Sequence, residues 1–484
     1  MMRSLNSGVS GLRIHQTRMD VIGNNIANVN TVGFKSSSTI FSDIFYQTTQ
    51  AATGHNAETG AAGRNAMQIG LGSNISTIKM AITNPGGAQR TDAMFDLMIS
   101  GDSFFVVNNA GVNYFTKAGS FGIDGAGYLS TPSGALVMGW LPDPANPNKT
   151  VQDNVKPLQI QSPENLFATP EATTKAHITG NIDRNDTQIA PGSAGKTIQM
   201  SFYDNMGNDF RANLNVKQSA TANNQYVVDL TDITDTNGNS IFARKKADGT
   251  YEATAYTSIT LGLTTYTAAV NTTTGEVTFT KGGSETILSF DGSSGEFTGV
   301  GAVPVPPATT ISKNIKLQFT SGSPMPFKDI EVDFSKTTMY ATSGSTNLEP
   351  FRGDTEERLG AGRPVGKMTG VDIDQSGKIY GKYDNGVRRL LGQLASTTFS
   401  NPAGLESVGN SMFAQTQNSG EFDGVGKDIT ANGGAFNQGM LEMSNVDLSA
   451  QFTDMIVTQR GFQANSRIIT TSDTLLEELI NLKR

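Results

Sequence analysis

The chain has 484 residues, with 36 Lys and Arg against 44 Asp and Glu for a formal net charge of −8, too acidic for a protein that tracks nucleic-acid phosphates. It contains no cysteine, and its histidines are three, His15, His55 and His177, which excludes disulfides and thiol chemistry and argues against a His-rich metal centre. Aromatic residues make up 8 % and charged residues 17 %, while 53 glycines accompany abundant Ser, Thr and Asn, a composition of turns and solvated strands.

Residues 5–29 predict a first helix. Steps of four and three from Leu5 reach Val9, Leu12, Gln16, Met19, Gly23 and Ile26, and Ile22 and Val29 widen the apolar stripe. The asparagines at 24, 25, 28 and 30, followed by Gly33, end it. The opening Met1–Asn6 stretch lacks the apolar core of a cleavable signal, so export would need another route. Nor does any run of about 18 apolar residues predict membrane insertion.

From 95 to 140 the pattern changes to short strands: Phe95–Ile99, Ser103–Asn108, Tyr114–Lys117, Tyr128–Ser130 and Leu136–Trp140. Turns at Asn109-Ala110-Gly111, Asp124-Gly125 and Ser133-Gly134 separate them. Residues 141–165 carry five prolines and read as a connector. The stretch 170–345 is Thr/Asn/Gly-rich β sequence with a second proline cluster at Pro304, Pro306 and Pro307, and reads as one inserted domain or two small ones. A further meander follows at 370–394.

The last helix is predicted over 448–482. Steps from Leu448 reach Phe452, Met455, Gln459, Phe462, Ser466, Ile469, Asp473, Leu476 and Ile480, and Ser444 with Asp447 makes a capping-box start. An amphipathic stripe usually means an ordinary core helix. Here both stripes sit at the two extremes of the chain and share a heptad-like spacing, which favours pairing and packing among copies. Two thin helices paired only with each other would be marginal, so the termini are expected to order fully on assembly.

Candidate chemistry is thin. Pro191–Thr197 lacks the first glycine of a phosphate loop, since Ala190 stands there. Asp372-x-Asp374-x-Ser376-Gly377 matches half of a calcium loop, but Tyr383 occupies the position of the bidentate glutamate, so a tight turn is the simpler reading. Glu356-Glu357 and Glu477-Glu478 are neighbours that would diverge on a helix. No catalytic, cofactor-binding or metal site is predicted, and the chain is read as a non-enzyme with no cofactor.

The string Leu5-Asn6-Ser7-Gly8-Val9-Ser10-Gly11-Leu12, with Asp20-Val21-Ile22-Gly23-Asn24-Asn25-Ile26-Ala27-Asn28-Val29-Asn30-Thr31-Val32-Gly33-Phe34-Lys35, resembles the bacterial flagellar hook and rod family. Asn445-Val446-Asp447-Leu448, Gln459-Arg460-Gly461-Phe462-Gln463-Ala464-Asn465-Ser466-Arg467 and Glu478–Arg484 carry the same resemblance at the other end. Between them Gly101–Phe105, Asn401–Leu405 and Asn418–Gly420 look like the family's shared β-domain. Rod members lack a large central insertion, so hook members are the closer match. A rod or junction member of the same family is the alternative, and a secreted β-rich adhesin or hydrolase a more remote one.

The resemblance implies a mainly β protein with helical termini, the two helices forming a coiled-coil-like axial domain (1–35 and 440–484). It implies a linker contacting neighbouring subunits (36–70), a middle β-domain (71–145 and 346–439) and an outer inserted β-domain (146–345). It further implies a structural subunit that polymerises into a flexible curved tube, with itself as chief partner. The rod protein, the hook cap, the hook–filament junction protein and the type III flagellar export apparatus would be its other contacts, with no nucleic acid and no membrane insertion. The expected assembly interface is Leu5, Val9, Leu12, Met19, Ile22 and Ile26 on the first helix and Phe41 and Phe45 in the linker. On the last helix it is Leu448, Phe452, Met455, Phe462, Ile469, Leu476 and Ile480.

Overall fold

The computed structural model describes residues 2–54, 60, 62–301, 312–320 and 326–482; His55 and the cluster Pro304, Pro306 and Pro307 lie outside the described residues. The architecture is mainly β with a helix at each end, α1 over Met2–Ala27 and α2 over Leu448–Asn481. Past α1, Asn28 folds its side-chain amide back onto the Asn24 carbonyl at 2.9 Å, and Gly33 turns the chain with φ +69°. For α2 the expected capping box is replaced by Asp447 alone. Asp447 has the extended backbone of a cap (φ −90°, ψ 106°), and its carboxylate accepts from the Ser449 and Ala450 amides. Ser444 instead accepts from the Val446 amide at 3.3 Å, because residue 447, and not 444, adjoins the open N–H groups.

The chain divides into two compact units. The first comprises Met1–Leu166, Thr369–Lys382 and Arg388–Arg484. Its central strand, Phe104–Asn109, lies between Val112–Thr116 and Leu136–Trp140, all antiparallel. Phe104, Phe105, Val106 and Val107 are all buried, so this strand reads as a continuous apolar run because both of its faces are covered. Phe105 meets Phe121 and stacks on Phe436, while Phe104 meets Phe399 and Phe413. Asn109↔Val112 closes the hairpin around Ala110 (φ +53°) and Gly111 (φ +88°), a two-residue turn whose left-handed backbone matches strand twist.

In the same unit, β1 (Ser37–Asp43), β2 (Tyr46–Gln50), β3 (Met67–Gly70) and β4 (Ser73–Met80) form a ribbon in which β1 pairs with β4 and β2 with β3. Late segments return beside early ones: Ala435–Gln438 pairs with Leu97–Ser100 and Met440–Glu442 with Ala88–Arg90. The proline-rich connector is tied down here too, since the Trp140 indole donates to the carbonyls of Asp153 and Val425.

The second unit, Phe167–Met368 with Tyr383–Val387, contains strands and no helix among its described residues. A seven-stranded sheet and a five-stranded sheet contribute to one core that includes Phe202, Tyr226, Tyr266, Phe290 and Phe334. Burial alternates along Asn314–Phe319 and Ile330–Thr338, as expected of strands with one face on a core. The buried Asp183 clamps a loop by accepting the backbone N–H groups of Asn185, Thr342 and Gly344, and these bonds hold its carboxyl down at about 2.

Candidate assembly interface

The two terminal helices pack antiparallel, and the contacts fix their register. Asn25 donates to Gln451 at 3.0 Å and Arg18 to Asp454 at 2.9 Å. His15 meets Gly461, Gly11 meets Asn465, and Gly8 meets Ile469. Positions 8, 11, 15, 18, 22 and 25 on α1 advance in steps of three and four, the spacing of a coiled-coil seam. Apart from Ile22, its contents are small or polar. A methyl added at Gly11 would sit 2.6 Å from the Asn465 amide nitrogen, and one at Gly461 would sit 2.6 Å from the His15 ring, so the glycines make the room that the facing Asn465 and His15 side chains occupy. Asn25 also exchanges two hydrogen bonds with the Ser37 backbone, which ties the start of the ribbon to α1.

This seam is not the predicted apolar stripe. Among the expected residues Ile22 is buried, and Ile469 is half-buried against Gly8. Leu5, Val9, Leu12, Met19, Ile26, Phe41, Met455 and Leu476 are half-buried, whereas Leu448, Phe452, Phe462, Ile480 and Phe45 are exposed. Along the 34 residues of α2 the buried side chains are Thr458 and Ser472. Ile456, Val457, Ile468, Leu475 and Leu479 add to the exposed apolar surface. Apolar periodicity alone missed Gly8, Gly11, Asn25, Gln451, Thr458, Gly461, Asn465 and Ser472. The same three-and-four spacing read over the small and polar residues would have found them.

The ribbon continues this open surface. Phe41 faces α1, its ring meeting His15 edge-on at 6.3 Å with the Arg18 guanidinium 5.7 Å above it. Farther out, Ile44, Phe45, Tyr46, Met67 and Ile69 are exposed, Phe45 to 79 %.

Where α1 and α2 enter the β-sheet region, the chemistry becomes ionic and closed. Lys35 and Glu442 pair at 2.6 Å with both side chains 1 % exposed. Lys35 also donates to the Asn84 carbonyl, and Glu442 accepts from the Gly86 amide. Gly33 donates to the Glu442 carbonyl, and Asn445 binds the Ser36 amide and the carbonyls of Ala81 and Asn84. Burial pulls the neighbouring Lys117 down to about 8, against the attraction of Glu442. Leaving one charge of such a pair without its partner costs about 3–5 kcal/mol, so this junction requires both ends of the chain.

The acidic motif at 372–377 is occupied by structure. Asp374 accepts the Ser376 and Lys378 amides around Gly377 (φ +81°), and Asp372 pairs with Arg388 at 2.8 Å. Lys196 opens the strand Lys196–Tyr203, and the next element is another strand, Asp209–Gln218.

Family models match four stretches of the chain. They are "Flagella basal body rod protein" over residues 5–35, "Flagellar hook protein FlgE/F/G D1 domain" over 98–176, "Flagellar basal body protein FlaE D2 domain" over 165–349 and "Flagellar basal body rod FlgEFG protein C-terminal" over 437–482. The chain is similar over its whole length, and over the whole of each relative, to the flagellar hook proteins FlgE of Treponema pallidum (34 % identical) and Borreliella burgdorferi (35 % identical). It is 28 % identical to the FlgE of Escherichia coli, with 99 % of this chain and all of that one covered. A crystal structure of Helicobacter pylori flagellar hook protein FlgE2 covers 73 % of this chain at 14 % identity and a TM-score of 0.34, a likeness too distant to bear on the packing described above.

Proposed function

The chain belongs to the flagellar hook protein family, and on that premise we propose that it polymerises through its terminal helices and ribbon into the flexible curved tube that carries motor torque to the filament. Residues 1–35 and 440–484 form the axial part, and 36–70 reaches neighbouring subunits. The self-contained inserted body is the unit Phe167–Met368 with Tyr383–Val387 in place of the 146–345 expected from the sequence, because Lys156–Pro157 pairs with Leu136–Trp140 in the first unit and Asn347–Arg352 with Lys175–Asn181 in the second. The observation that carries this reading is α2, which turns Leu448, Phe452, Phe462 and Ile480 outward while burying Thr458 and Ser472. Apolar area left open on that scale calls for a partner. The outward residues of the expected set form the subunit interface, whereas Ile22 and the Ile469–Gly8 contact act within one chain.

A patch on one copy that meets a different patch on the next gives a heterologous contact, which propagates into an open helical polymer. The two ends of the polymer then meet different proteins, the rod protein at one end and the hook cap and later the junction protein at the other. Delivery runs through the type III flagellar export apparatus. Deleting residues 448–484 tests the reading: pelletable tubes disappear in electron micrographs, while the far-ultraviolet spectrum keeps its strand signal. Tubes assembled by the deleted chain would overturn it.

A further inference from the structure

We propose that His15 is a proton-operated wedge in the axial seam: the neutral imidazole seats against Gly461 and closes α1 on α2, and the imidazolium opens them. The inference rests on the polymer reading and adds a control that the family likeness does not supply. The ring edge is set so closely on α2 that a methyl at Gly461 would lie 2.6 Å from its Cε1 and Nε2 atoms. Its Nδ1 is buried and has no hydrogen-bond partner among the described residues. A proton added there gains no acceptor and loses water, which is costly for a charge.

The surrounding charges oppose the proton as well. On its own helix Arg18 stands one turn away, and with burial as the larger cause it holds the imidazole below its ordinary value. The Asp454 carboxylate on α2 that could compensate is engaged by Arg18 at 2.9 Å. Arg460 beside Gly461 adds positive charge to the same helix, and donates to Gln463. On β1 the facing group is the Phe41 ring, and Asp43 at the strand end is engaged by the Tyr46 hydroxyl.

The sign follows from linkage. A base whose pKa is lowered in the closed state binds fewer protons there than when released, so closure is complete above the free imidazole range of about 6.5 and weakens as pH falls below it. Carboxylates that titrate near 4 act later. His177 is the natural control, since it stacks on Phe351 in the other unit.

The test uses full-length tubes assembled at about pH 7.5 and shifted to about pH 5.5, with soluble subunit measured after sedimentation. Wild type is expected to release several-fold more subunit at the lower pH, as the imidazole is driven out of its neutral form. His15→Gln and His15→Leu are expected to change less than about twofold, and His177→Gln to follow wild type. Wild-type tubes that stay intact to about pH 5 overturn the proposal whatever the variants do. So does equal release from wild type and either His15 variant. Failure of the polymer reading itself would look different, with no pelletable tubes at any pH.

Discussion

The inserted β-unit and the terminal helix pair solve the burial problem in opposite ways. In the β-unit Phe202, Tyr226, Tyr266, Phe290 and Phe334 are all at most 1 % exposed, enclosed by strands of one chain. In the helix pair the enclosed line is mostly glycine, asparagine, threonine and serine with Ile14 and Ile22, and the large exposed apolar residues lie on α2. One region completes its core alone and carries its stability at any concentration. The other draws part of its core from neighbours, so its stability depends on mass action.

Three substitutions would break or sharpen that contrast. The largest effect is expected for Phe334→Ala, which empties part of the inserted core and should cost about 3–5 kcal/mol in urea unfolding of that unit. Tube assembly below its unfolding temperature should survive, and loss of assembly from a unit that remains folded would contradict the division of labour. Next, Gly11→Ala pushes a methyl into Asn465 and should weaken α1–α2 closure by about 1–3 kcal/mol, read as faster amide exchange along both helices. Unchanged exchange would mean the seam is looser than its geometry. The smallest effect on the isolated chain is expected for Phe452→Ser, within about 0.5 kcal/mol of wild type. Its threshold concentration for assembly should nevertheless rise several-fold, and an unmoved threshold would remove Phe452 from the interface.

Much of the fold was legible because local rules suffice for it. The helix at 448–481 and the strands at 104–109 and 136–140 fall where periodicity and turn residues put them. Asp447 as sole cap was harder to see, since Ser444 offers the same chemistry three residues earlier and only the backbone angle decides between them. The outward apolar surface was also legible, through Leu448, Phe452 and Ile480. The seam was not, because Gly8, Gly11 and Gly461 carry no hydrophobic signal and gain meaning only when a second helix lies against them. Lys35 and Glu442 were equally silent: 407 residues separate them, and each alone reads as a solvated charge.

The sequence by itself determined the class of the molecule, through a Cys-free, Gly-rich, acidic composition, helix-periodic ends and a strand-periodic middle. Period and turn chemistry are properties of near neighbours along the chain, and they need no fold to be read. Tertiary structure decided which face of each helix is spent inside the chain and which is left open. That choice depends on backbone separation across the α1–α2 seam and on where Lys35 finds Glu442, distances that exist only once the two ends have met.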